Sequence, residues 1–136
     1  MDIHNVDRVP AFTTKDGSEI RELLAHRNSC LHNQSLAEAR LSPGLATMPH
    51  LHPKTEEIYY ILEGLGEMII ADDKKRVVAG DAIAIPPGAP HQIINRGSET
   101  LKFLCCCAPA YEDADTVMID RKQRNEHCGK ENRFEF

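Results

Sequence analysis

The sequence has no tryptophan and few other aromatics; together they fill 5% of its 136 positions. A core must therefore be built mainly from aliphatic side chains, drawn from an ordinary hydrophobic content of 41%. No apolar run approaches the roughly 18 residues of a membrane-spanning helix, so no membrane partner is expected. Basic residues are outnumbered, 16 against 21 acidic ones, and no basic patch stands out, so nucleic acid is not an expected partner either. The stretch Met1-Asp2-Ile3-His4-Asn5 lacks a positive start followed by an apolar segment. A secretory leader is thus not expected, and the cytoplasm is the expected compartment. No internal repeat is visible, and a chain of this length is expected to form one domain.

Five cysteines are present, an odd number, and Cys105, Cys106 and Cys107 are consecutive. Three adjacent thiols cannot form an ordinary set of disulfides with one another, which suits a reduced protein better than a stapled one. On a strand they alternate faces. Their expected role is packing, because free cysteine commonly behaves as a small buried hydrophobe.

What the chain does have is histidine and strand-forming residues around a few turns. His50 and His52 are two apart, so on a strand both point the same way. On a helix they would diverge by about 200°. The segment Leu45–His52 carries a proline and no helical periodicity, and it is read as a strand. Glu57-Ile58-Tyr59-Tyr60-Ile61-Leu62 is rich in β-branched and aromatic residues and reads as the next one. Pro53-Lys54-Thr55-Glu56 is long enough to turn the chain back as a hairpin, which would set Glu57 opposite the two histidines. Further on, Asp81–Ile85 reads as a strand, Pro86-Pro87-Gly88 as a turn, and His91–Asn95 as a strand that His91 opens. Three imidazoles and one carboxylate make a complete ligand set for a divalent metal.

These residues carry a resemblance. The order Gly44, His50, His52, Glu57, Gly64, with five, one, four and six residues between successive members, is similar to the first motif of the cupin superfamily. The order Gly80, Pro86, Gly88, His91, Asn95, with gaps of five, one, two and three, resembles the second. The fifteen residues between Gly64 and Gly80 also fit the short linker of microbial cupins. The resemblance implies an all-β, single-domain jelly-roll (double-stranded β-helix) barrel of roughly six to eight antiparallel strands. It implies His50, His52, Glu57 and His91 as metal ligands, and a homodimer. An N-terminal arm of such a barrel often crosses to the second subunit.

The rest of the chain is read around that frame. Lys15-Asp16-Gly17-Ser18 is a turn, and Val9–Phe12 an edge strand. Glu19–His26 has helical propensity, but the barrel favours a strand with Ile20, Glu22 and Leu24 on one face. Gln34–Leu41 is the next strand. Ala71–Lys75 is a hairpin tip, and Leu101–Cys107 a strand with Leu101, Phe103, Cys105 and Cys107 in one phase. Glu112–Thr116 is read as the start of a short helix through Met118. The expected division is a barrel with its arm over 1–118 and a charged, mobile or peripheral tail over 119–136. His4, His26, His32 and His127 are expected to lie outside the metal site, and His127-Cys128 is too isolated to form one.

Neutral imidazoles with one carboxylate suit iron, manganese, nickel, copper or zinc, one ion per chain. Four protein ligands leave two octahedral positions for water, substrate or dioxygen, while a closed four-ligand zinc would be structural. Tyr59 shares a face with Glu57 and is the candidate catalytic residue, able to hydrogen-bond a substrate. Met48, Ile93 and Phe103 are expected around the site, with Arg21 and Arg40 as weaker candidates for an anionic substrate. Three functions stay open for a small-molecule substrate or ligand: a dioxygenase-type enzyme, which is favoured; a sugar-phosphate isomerase or lyase; and a non-catalytic binding module.

Overall fold

Alternation of apolar and polar residues decides which face of each strand is buried, and the turns decide which strands meet. The computed structural model describes residues 1–119. Its strands are β1 (Phe12–Thr13), β2 (Glu19–Leu24), β3 (Ser35–Leu41), β4 (His50–Leu51), β5 (Glu56–Glu63), β6 (Leu65–Ile70), β7 (Asp73–Val78), β8 (Ala82–Ile85), β9 (His91–Asn95), β10 (Leu101–Ala108) and β11 (Val117–Met118). They form two antiparallel sheets, β1-β2-β3-β10-β5-β8 and β11-β4-β9-β6-β7. The chain changes sheet repeatedly, as a jelly roll requires.

The core lies between the sheets. Ile61, Ile93, Leu101 and Phe103 are fully buried, with Tyr59, Leu41, Met68 and Ile85 around them. In β10 the phase is as the sequence implies: Leu101, Phe103, Cys105 and Cys107 are buried and the residues between them are not. With so few aromatics, the contact between Tyr59 and Phe103, ring centroids 4.7 Å apart, is a main element of the interior. Gly64 joins β5 to β6 at a φ of +95°, and a Cβ there would lie 3.0 Å from the Leu101 backbone. Only glycine meets both demands.

Several local readings are corrected. Leu45–His52 is not a continuous strand: only His50–Leu51 is, and Ala46 makes a single bridge to Ile94. Leu45 and Thr47 still bond to β9, but Ile93 N–H turns to the Thr47 hydroxyl and Met48 N–H donates to the Asp16 carbonyl. Pro49 has no N–H to give, so the ladder breaks before His50. Pro53–Thr55 does not close a hairpin. It carries the chain across to the other sheet, where β5 pairs with β10 and β8 rather than with β4. The hairpin tip is only Ala71-Asp72, with Ala71 at a φ of +53°, and β7 already begins at Asp73. The acidic stretch does not run on as a helix. One 3₁₀ turn, Asp113–Asp115, gives way to β11 at Val117. Thr116 and Val117 are β-branched, and β4 offers an edge to pair with.

Ile119 is buried and its N–H donates to the Pro49 carbonyl at 3.0 Å. The rest of the expected tail, including His127 and Cys128, lies outside the described residues. No helix among the described residues is long and apolar enough to cross a membrane.

Candidate metal centre

His50 and His91 are direct cross-strand partners where β4 meets β9. His52 follows β4 immediately. The turn that ends at Gly88 is hydrogen-bonded back to this segment, Gly88 N–H donating to the His52 carbonyl at 2.8 Å. The two histidine segments are therefore one structural unit. Glu57 reaches the same space from the opposite sheet, on β5.

Each imidazole is held by its Nδ1. The His50 Nδ1 lies 2.7 Å from the Met48 carbonyl and the His91 Nδ1 lies 2.9 Å from the Ala89 carbonyl, so both carry a proton there and donate. The His52 Nδ1 sits 3.3 Å from the Asp115 carbonyl and 3.3 Å from the Thr116 hydroxyl. Anchoring one nitrogen fixes the tautomer and frees Nε2 as a lone-pair donor. The three histidines place ligand atoms within 4.8 Å of one another. Glu57 Oε1 is 3.4 Å from Nε2 of both His52 and His91. All four residues are at least 95% buried.

Burial sets the protonation of these groups, with neighbours correcting it. Burial, with His91 adding to it, lowers His50 to about 4. Burial pulls Glu57 upward, but the facing His52 and His91 outweigh it and hold the carboxyl well below its ordinary range. His52 is opposed by burial yet raised by Glu57 and by Asp115. Glu57 Oε1 and His91 Nε2 are nevertheless buried without a hydrogen-bond partner. Buried polar atoms rarely go unpaired, because each costs about 1–3 kcal/mol. A cation between them satisfies both, so the donor set fits a divalent first-row metal.

The linkage gives a pH expectation for the metal-free chain. Between about pH 6.5 and 4, His50 takes up a proton on unfolding, so stability falls as pH falls through this window. Glu57 adds to the loss below its ordinary value of 4.5, since its native carboxylate resists protonation. The raised His52 acts oppositely, but its contribution is fully present below pH 6.5 and is lost only at higher pH. Thermal midpoints of chelator-treated protein should therefore drop steadily from pH 6.5 to pH 4. A flat profile would contradict the burial of His50.

Other predicted residues fall differently. Tyr59 is 2% exposed and lines the cavity beside the histidines, with its ring 5.9 Å from that of His91. Burial, reinforced by the Glu57 charge, raises its phenol well above 10. Met48 does not share the face of His50: it is half exposed, because the chain around Pro49 is not a strand. Phe103 lines the cavity, and Ile93 is wholly buried in the core. Arg21 and Arg40 pair with Glu19 and Glu38 and are absent from the cavity wall. His4, His26 and His32 are exposed.

Two contributors were missed. Cys107 lies opposite Glu57 in the β10–β5 register, and its Sγ–H donates to Glu57 Oε2 at 3.1 Å. This leaves Oε1 to face the histidines. Burial, with the Glu57 charge beside it, pushes the Cys107 thiol far above the ordinary range, so it remains a donor rather than a nucleophile. Asp16, read as part of a plain turn, is 9% exposed and brings Oδ2 within 3.4 Å of His50 Nε2. Phe12, Thr14, Tyr111 and Thr116 line the space above these residues, around a cavity of ≈ 40 Å³. That is room for a few water-sized groups at about 10–15 Å³ each. No lysine or arginine lines it among the described residues.

The sequence pattern of the cupin domain matches residues 37–107, just over half of the chain. The chain belongs to the cupin family. An uncharacterized protein from Methanocaldococcus jannaschii is 47% identical over 114 residues, covering 84% of this chain and 91% of its own. The oxalate-binding protein of Thermotoga maritima is 38% identical over 90 residues, covering 63% of this chain and 71% of its own. The crystal structure of a predicted oxalate decarboxylase from the same organism superposes with a TM-score of 0.69 at 26% identity. It covers 79% of this cupin and 98% of that chain.

Proposed function

We propose that this cupin binds one divalent first-row cation (iron, manganese, nickel, copper or zinc) through His50, His52, Glu57 and His91, and acts on a small organic substrate by oxygenase-type chemistry. The observation that carries the metal is the pair of orphaned atoms, Glu57 Oε1 and His91 Nε2, buried at 3.4 Å from each other. When bound, the ion would supply Lewis acidity and, as iron, manganese, nickel or copper, a route for electrons between substrate and dioxygen; zinc would supply Lewis acidity alone. The chain's own residues do the rest. Met48, Ala89 and Asp115 carbonyls aim the imidazoles. The Cys107 thiol holds the second Glu57 oxygen. Phe12 and Phe103 exclude water, and Tyr59 is the group placed to hydrogen-bond a substrate oxygen.

The small cavity, lined by no lysine or arginine among the described residues, supports this reading over a sugar-phosphate isomerase, which needs a cationic cradle. The test is metal per chain in protein purified without added metal, followed by oxygen uptake with small enolic and phenolic substrates. About one iron, manganese, nickel or copper with substrate-dependent uptake supports the reading. A metal-free chain that takes up none on titration removes it. A second reading is favoured by the relative that binds oxalate: the loaded centre captures a small dicarboxylate without turning it over. Calorimetric oxalate binding without oxygen uptake would establish that alternative.

We also propose a cytoplasmic homodimer. Ile58 and Tyr60 are 49% and 41% exposed on the outer face of β5, flanked by Ala84 and Ala82 of β8 and by Cys106 and Leu104 of β10. An apolar sheet face of this kind marks an interface. The double variant Ile58→Lys, Tyr60→Lys is expected to halve the mass seen by light scattering and leave the far-ultraviolet spectrum unchanged. A wild-type chain that already runs as a monomer at micromolar concentration rules the dimer out. Free thiols at Cys30, Cys105, Cys106 and Cys107 suit a reducing compartment.

A further inference from the structure

We propose that Asp16 is a fifth protein ligand of this centre, so that the chain offers three imidazoles and two carboxylates and leaves about one position open. The inference rests on the metal reading above and adds a residue from outside both histidine-bearing segments.

The geometry is specific. Asp16 lies in the turn between β1 and β2, with its backbone carbonyl accepting from Met48 N–H at 2.7 Å. That bond ties the turn to the segment that leads into His50. One carboxylate oxygen is saturated: Oδ1 accepts from Thr14 Oγ1 at 2.7 Å, Ser18 N–H at 2.9 Å and Ser18 Oγ at 2.6 Å. The other oxygen, Oδ2, faces His50 Nε2 at 3.4 Å. Because His50 Nδ1 donates to the Met48 carbonyl, Nε2 of the neutral ring carries a lone pair. A carboxylate oxygen and a nitrogen lone pair then face each other, which is repulsive unless a cation lies between them.

The spacing agrees with such a cation. Adjacent donors about 2.0–2.2 Å from a six-coordinate metal lie roughly 2.8–3.1 Å apart, so pairs at 3.4 Å need close by only a few tenths of an ångström on an ion. The pairs Glu57–His52 and Glu57–His91 are at 3.4 Å, and Asp16–His50 has the same value. The side chain is pre-positioned: three donors on Oδ1 hold the carboxylate so that Oδ2 alone is presented. Asp16 and Glu57 both line the cavity, and among the described residues no lysine or arginine lines it with them (Glu22, also in the wall, pairs with Arg27), so a divalent ion offsets the two carboxylates.

The test uses the full chain, stripped of metal and titrated with manganese(II) alone. Asp16→Asn keeps the shape and the Oδ1 acceptor but replaces the ligating oxygen with an amide. It is expected to weaken manganese(II) affinity by at least about 100-fold, beyond the roughly 10–100-fold of a residue that only orients a ligand. It should also raise the number of waters on the bound ion from about one to about two, read from water-proton relaxation. Manganese(II) bound by the variant with unchanged affinity and unchanged water number overturns the Asp16 assignment and leaves the four-ligand centre standing. A wild-type chain that binds no manganese(II) overturns both. Should the variant lose the barrel's circular dichroism, the manganese(II)-loaded wild-type crystal structure decides: Oδ2 at about 2.2 Å from the ion supports the assignment, and Oδ2 beyond about 3 Å overturns it.

Discussion

Glu57→Ala should empty the centre. The wild-type chain is expected to hold close to one metal ion after dialysis against trace metal, and the variant close to none. Changing a group that merely orients a ligand typically costs about 10–100-fold in affinity, so removing a ligand should cost at least about 100-fold. The variant also leaves His52 and His91 facing a void instead of a carboxylate. Cys107 loses the acceptor of its Sγ–H. Elemental analysis and a chelator competition read the outcome directly. Glu57→Gln is the control for volume, since it fills the site without the charge. Metal content unchanged in both variants would show that Glu57 is not a ligand.

Phe103→Ala should be among the most destabilising single changes in the chain. Phe103 is 1% exposed, sits on β10 between β3 and β5, and packs its ring against Tyr59. Removing a buried phenyl costs about 3–5 kcal/mol, from lost transfer energy and from the cavity left behind. In a chain of this size that lowers the thermal midpoint by roughly 10–20 °C. The comparison is Phe12→Ala, at the barrel mouth and 45% exposed, where the loss should stay below about 1 kcal/mol. A Phe103→Ala midpoint within a few degrees of the wild type would mean that the two sheets do not depend on this contact. Phe103 also lines the cavity, so its removal should enlarge the site as well as weaken the barrel.

The strands themselves were legible because their causes are local. A period of two in β10, turn chemistry at Pro86-Pro87-Gly88 and the runs of β-branched residues in β5 and β9 act over a few residues. The motif glycines and histidines were legible through their spacing. Local signals failed where a long-range partner decided the outcome. Leu45–Thr47 bonds to β9, but Met48 turns its N–H to Asp16 across the barrel mouth and Pro49 has none, so the strand is interrupted before His50. Val117–Met118 became a strand because β4 presented an edge. The crossing at Pro53–Thr55 looked like a hairpin because loop length alone does not say which sheet the chain enters next.

By itself, the sequence determined most of the strands, since residue type, periodicity and turn chemistry are properties of short stretches; the barrel and its four candidate metal ligands came from the resemblance that the motif spacing carries. Only the tertiary structure decided what surrounds them. Cys107 meets Glu57 through a register between strands fifty positions apart, and Asp16 reaches His50 because the first turn folds over the mouth of the barrel. Neither contact has a local signature. Each exists because two sheets pack face to face, and packing distance does not follow from distance along the chain.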